Sequence, residues 1–98
     1  MLIRVVKMTF SNEAIPAFLQ LFDERKQQIS DFDGCMHVEL WQDRLNPHIF
    51  FTYSHWINAA ALEQYRKSTF FADTWQLTKA LFSSRAEAWS VNRVSIQG

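Results

Sequence analysis

Three segments of this chain alternate like β-strands, and each is apolar on both of its faces. In Leu2–Thr9 the odd positions (Ile3, Val5, Lys7, Thr9) and the even ones (Leu2, Arg4, Val6, Met8) are both largely aliphatic. Cys35–Gln42 sets Met36, Val38 and Leu40 against His37, Glu39 and Trp41, and His48–Trp56 sets Ile49, Phe51 and Tyr53 against Phe50, Thr52, Ser54 and Trp56. A sheet with one wet side alternates apolar with polar, whereas strands covered on both sides do not. The pattern requires helices on one face of the sheet and a partner on the other.

The order of elements narrows the architecture. After the first strand, Ser11-Asn12 offers N-cap side chains, and Pro16 is tolerated only near a helix start, so the regular helix settles around Ala14 or Ile15. Ile15, Phe18, Leu21 or Phe22, Arg25 and Ile29 form its inner stripe, and Asp31–Gly34 ends it. Asp43–Pro47 carries turn residues that join the second and third strands as a hairpin. The register expected there sets Trp41 opposite Phe50, Glu39 opposite Thr52 and Val38 opposite Tyr53. Asn58 then opens a short helix, Ser68-Thr69 interrupts it, and a second helix follows. Ala86–Ile96 alternates Trp89, Val91 and Arg93 against Ala88, Ser90, Asn92 and Val94, and reads as a fourth strand. Strand, helix, hairpin, helix, strand is the α+β, ferredoxin-like βαββαβ order: a four-stranded antiparallel sheet with its helices on one face.

Size and charge exclude several functions. Ninety-eight residues with 48% hydrophobic content and only two glycines and two prolines predict a single domain over residues 1–98. Ten basic residues balance ten acidic ones, so no basic field exists to hold nucleic acid or an anionic membrane. Arg4 and Lys7 interrupt the apolar N-terminus, which therefore reads as a strand and not a signal peptide, and a cytoplasmic protein is expected. Cys35 is the single cysteine and reads as an inert, buried strand position in a reducing compartment.

The richest stretch for function runs from Phe50 to Phe82. An aromatic strand ends at Trp56, and the second of the two following helices carries Phe71, Trp75, Thr78 and Phe82 on one face, at spacings of four, three and four. Tyr65 and Trp75 are rings with polar handles that look into the space beneath those helices. Stripes of this kind also make plain core, so a filled interior is the rival reading. Glu63, Arg66 and Lys67 read as the solvated face of the short helix. His37, His48 and His55 do not converge on one ion, since His37 and His55 have opposite parity in the expected register and His48 sits at the far end of the hairpin. No metal is expected, nor a nucleotide cofactor, because no phosphate-cradling glycine loop is present.

The acid-glycine turn DFDG, the strand end TYSHW, the helix AAALEQY and the helix start STFF, in that order, resemble the antibiotic biosynthesis monooxygenase family. The similarity covers nearly the whole chain. It implies a dimeric α+β barrel, in which two ferredoxin-like sheets pack face to face as a homodimer, with an aromatic small molecule held between sheet and helices. It also implies a monooxygenase that oxidises a phenol- or quinol-like compound with dioxygen and needs no cofactor. Trp56 matches a strand-end Trp that lines the relatives' pocket, and Thr52 stands where some oxygenating relatives have Asn. Haem-degrading relatives use an Asn, a Trp and a His at positions held here by Lys7, Tyr65 and Trp75, so haem breakdown is not expected.

Two classes of function follow. In the enzyme, Thr52, Trp56, Tyr65, Phe71 and Trp75 bind the substrate, Tyr65 hydrogen-bonds a phenolic oxygen, and His55 or His37 takes a proton. In the alternative, a non-catalytic dimeric binding or structural module, the same aromatics are core.

Overall fold

The computed structural model describes all of residues 1–98. Its elements are β1 (Leu2–Thr9), α1 (Ile15–Ser30), β2 (Cys35–Gln42), β3 (Ile49–Trp56), α2 (Ala59–Arg66), α3 (Thr69–Lys79) and β4 (Glu87–Val91). The strands form one sheet in the order β2-β3-β1-β4, with every neighbouring pair antiparallel. This is the ferredoxin-like arrangement expected from the sequence. The last strand is shorter than the expected Ala86–Ile96. Val91 already pairs with Ile3, one residue from the start of β1, so the residues beyond it run out of partner.

Throughout β1, β3 and β4, and from His37 onward in β2, the even-numbered residues face the helices. Leu2, Arg4, Val6 and Met8 of β1 lie beside Trp56, Ser54, Thr52 and Phe50 of β3. Two apolar clusters fill this side. Met8, Phe10, Phe18 and Phe50 pack beneath α1, with Phe10 and Phe18 stacked at 4.2 Å. Trp56, Leu62 and Tyr65 pack beneath α2.

The hairpin register differs from the expected one by a single residue. Trp41 pairs with Phe51, Glu39 with Tyr53 and Val38 with Ser54. The turn takes up one residue more than its Pro and Asn suggest. Asp43 Oδ2 accepts from the backbone N–H groups of Leu45 and Asn46, Asn46 Oδ1 accepts from His48, and the Asp43 N–H closes on the Ile49 carbonyl. Because side chains alternate with period two, this slip exchanges the faces of β3 relative to β2. Phe50, Thr52, Ser54 and Trp56 therefore join Val38 and Leu40, whereas His37, Glu39 and Trp41 join Phe51, Tyr53 and His55 on the uncovered face. A bulge between Cys35 and His37 lets Cys35 stay opposite Trp56.

The helix starts also refine the sequence reading. Ser11 and Asn12 do not cap α1. Its N-cap is Ala14, which makes no side-chain bond, and Pro16 sits in the first turn, where its missing N–H costs nothing. Asn58 does cap α2, accepting from the Ala61 N–H at 2.9 Å. Ser68 caps α3, accepting from Phe71 N–H at 3.0 Å while its hydroxyl donates to the Tyr65 carbonyl at 2.6 Å. Arg25 ties α1 to α3 through Asp73 and Thr74 at 2.8 and 2.9 Å. No helix is long and apolar enough to cross a membrane.

Candidate functional site

Between the helix-facing side of the sheet and the three helices lies a cavity of about 310 Å³. That is at the lower end of the range for small-molecule pockets, roughly 300–1,000 Å³. The interior is not filled, so the aromatic stripe is more than core. Thr52, Ser54 and Trp56 form part of the floor, and α2 and α3 supply Leu62, Tyr65, Phe71 and Trp75. Ser68 matters here because its double hydrogen bond fixes the angle between α2 and α3. That angle brings Tyr65 against Phe71, centroids 5.0 Å apart and edge-on, while Phe71 stacks on Trp75 at 6.0 Å.

Three polar features stand out among these rings. The Trp56 indole N–H is already committed, donating to Ser54 Oγ at 3.0 Å. Tyr65 is buried, and no hydrogen bond within the chain perturbs its phenol. Burial chiefly, and the Cys35 charge secondarily, raise its pKa above the ordinary range, so it is a neutral donor at any physiological pH. Arg4 and Arg66 are the only charged residues in the lining, which holds no carboxylate, imidazole or thiol. Of the usual ligands to a metal ion or a haem iron, that leaves only the Met8 thioether and the Tyr65 phenol.

The family model for antibiotic biosynthesis monooxygenases matches residues 1–76 of the sequence. The chain belongs to the antibiotic biosynthesis monooxygenase family. Solved structures agree in fold. An antibiotic biosynthesis monooxygenase is similar at a TM-score of 0.89 and 22% identity, over 97% of this chain and 100% of that one. A conserved protein from Methanosarcina mazei Go1 superposes at 0.88 with 22% identity, over 95% and 93% of the two chains. A Pseudomonas aeruginosa protein gives 0.83 with 21% identity, over 96% and 94%. No curated protein matches the sequence.

In this family member, five of the residues picked out by sequence lie together: Thr52, Trp56, Tyr65, Phe71 and Trp75 all line the cavity. His37 and His55 do not. They sit opposite each other on β2 and β3, rings 5.7 Å apart, on the face of the sheet turned away from the helices. The expectation that either takes a proton from a ring bound beside Tyr65 is therefore corrected: the sheet stands between them. His55 faces away from Thr52 and Trp56 by alternation within β3 alone, and the one-residue slip in register puts His37 on the same side. That slip also overturns their opposite parity, although no three His, Cys, Asp or Glu side chains are grouped to hold a metal ion. His48 is elsewhere, bonded through Nδ1 to the Phe10 carbonyl.

Arg4 and Arg66 were not legible as site residues. An arginine in a first strand and another in the last turn of a short helix look like ordinary surface charges. Only the folded arrangement brings them to the cavity, Arg4 from the sheet beside Ser54 of β3 and Ser90 of β4, and Arg66 from α2 with its side chain still 46% exposed.

The uncovered face has its own order. Trp41 stacks on Tyr53 at 4.4 Å, its indole N–H donates to Glu39 at 2.6 Å, and the other Glu39 oxygen meets His37 Nε2 at 2.7 Å. The bonds from His37 and then Trp41 hold the Glu39 carboxyl below its usual pKa. Burial, followed by the charges of Arg93 and His37, lowers the pKa of His55, which is hydrogen-bonded to the Tyr53 hydroxyl.

Proposed function

We propose that this protein is a monooxygenase that oxidises a phenol- or quinol-like aromatic with dioxygen and without a resident cofactor. The observation that carries the reading is the cavity itself: room for a fused aromatic, bounded by Trp56, Tyr65, Phe71 and Trp75, in a member of a monooxygenase family. The chemistry needs little from the protein. For a phenol with a free para C–H, one oxygen atom of dioxygen bonds to that carbon and the other leaves as water with the O–H and C–H hydrogens. The product is the quinone, and the ring supplies all four electrons. The protein's part is to bind the ring between flat side chains, donate to its oxygen from the neutral Tyr65 hydroxyl and exclude bulk water.

The same reading includes a homodimer. The uncovered face carries Val5, Phe51, Tyr53, Trp41, Trp89 and Val91, and Trp41 and Trp89 are 40% and 45% exposed. A contiguous apolar surface of this kind is rare on a monomer, and a second copy of the sheet covers it.

The test is oxygen consumption by chelator-treated protein with a panel of phenols and quinols, with quinone and water as products. Binding without consumption would favour a binding module instead. Consumption that vanishes with the chelator and returns with a metal would sink the cofactor-free mechanism.

A further inference from the structure

The geometry points to an aromatic ligand that carries an anionic oxygen, a carboxylate or an ionised phenol, bound with Arg4 and Arg66 as its counter-charges. The inference rests on the cavity being the ligand site, and it adds the charge of the ligand to the shape of its ring.

Three observations converge on it. The chain as a whole is electrically balanced, ten cationic side chains against ten anionic, yet the charged groups lining the cavity are two arginines and nothing else. Arg4 has no carboxylate partner: it is absent from all six ion pairs of the chain, and its Nη1 donates only to the Ser90 hydroxyl at 3.0 Å. Arg66 meets Glu63 at a loose 3.8 Å, between side chains that are both largely exposed, which leaves most of its donors free. An arginine fork presents five N–H donors and cannot shed its charge to escape burial.

The two guanidiniums are also close enough to oppose each other. Burial first and the Arg66 charge second lower the Arg4 pKa. Like charges brought together at a partly dry wall are unfavourable on their own and become favourable when an anion lies between them. The absence of a proton-accepting carboxylate or imidazole from the lining fits as well. With no carboxylate or imidazole to remove a proton there, a ligand that arrives ionised, or ionises against the arginines, needs none.

Trp56 and Trp75 line the cavity and give a fluorescence signal for binding. Three probes share one ring system: 2-naphthoate, 1-nitroso-2-naphthol as an acidic phenol, and uncharged 2-naphthylmethanol. Each is titrated into wild type, Arg4→Gln, Arg66→Gln and Arg4→Lys, with melting curves to confirm folding. The expected result is that at least one anion binds tighter than the alcohol by on the order of tenfold or more. Arg4→Gln should weaken the anions more than the alcohol and so remove that preference, and Arg4→Lys should keep part of it. A preference for naphthoate alone identifies a carboxylate, and for the nitrosonaphthol alone a phenolate. Equal or tighter binding of the alcohol, equal weakening of all three by Arg4→Gln, or no binding of any probe would overturn the inference. Anion binding without oxygen consumption from any phenol leaves it standing while sinking the monooxygenase reading.

Discussion

Trp56 and Tyr65 lie face on face, ring centroids 4.9 Å apart and 27° from parallel, so a strand end and a short helix meet through two stacked aromatics at the cavity wall. The contact leaves the Tyr65 hydroxyl without an intramolecular partner and makes it separable from the packing. Tyr65→Phe keeps the stack and deletes one donor. Turnover with a phenolic substrate should fall by about tenfold, corresponding to about 1.4 kcal/mol of transition-state stabilisation. Steady-state oxygen consumption checks this, and an unchanged kcat/KM would remove Tyr65 from the mechanism.

The same hydroxyl predicts an alkaline effect. Burial places the folded pKa above the unfolded value of about 10. The unfolded chain therefore loses the proton first, and stability is intact below about pH 10 and declines as pH rises beyond it. Urea midpoints for wild type should fall more steeply above about pH 10 than those for Tyr65→Phe. Absorbance titration should show one of the two tyrosines ionising late. Parallel pH profiles for the two proteins would contradict the assignment.

Ser54 is the buried acceptor for the Trp56 indole. Ser54→Ala strands that donor among apolar groups and should cost about 1–3 kcal/mol. Chemical denaturation measures it, and a midpoint within error of wild type would mean another acceptor reaches the indole.

Ser68→Ala removes the hydroxyl that ends one helix and starts the next. A loss of about 1 kcal/mol is expected, with faster amide exchange confined to the first turn of α3. Uniform exchange along the chain would locate the effect elsewhere.

Gly34 has φ of +85°, and a Cβ there would overlap the Ala61 side chain and crowd Ile57. Its carbonyl also accepts from the Ile57 N–H at 2.8 Å. Gly34→Ala combines left-handed backbone strain with a clash against α2 and should destabilise by about 1–3 kcal/mol. An unaltered melting temperature would show that α2 shifts freely.

Element order, helix faces and the aromatic wall of the cavity were readable because each follows from local periodicity. Phe71 and Trp75 lie one helical turn apart and face the same way wherever α3 packs. The strand faces were not, since they depend on how many residues the Asp43–Pro47 turn consumes. Asp43 and Asn46 close on backbone N–H groups that no periodicity reveals, and the miscount put His37 on the face of Thr52 and Trp56, the wrong side. Arg4 and Arg66 were missed for a related reason. A charge gains meaning only from what surrounds it, and their surroundings come from β3, β4 and α2 together.

The even-inward rule of the sheet separates two kinds of mutation by arithmetic. Val5 and Val6 are neighbours in sequence, yet one belongs to the uncovered surface and the other to the cavity. Under the proposed dimer and ligand site, a library restricted to odd positions of β1, β3 and β4 should tune self-association, and one restricted to even positions should tune what is bound, with little crosstalk through a layer one backbone thick. On that proposal, lineages descended from such a chain can change their ligand without renegotiating their quaternary contacts.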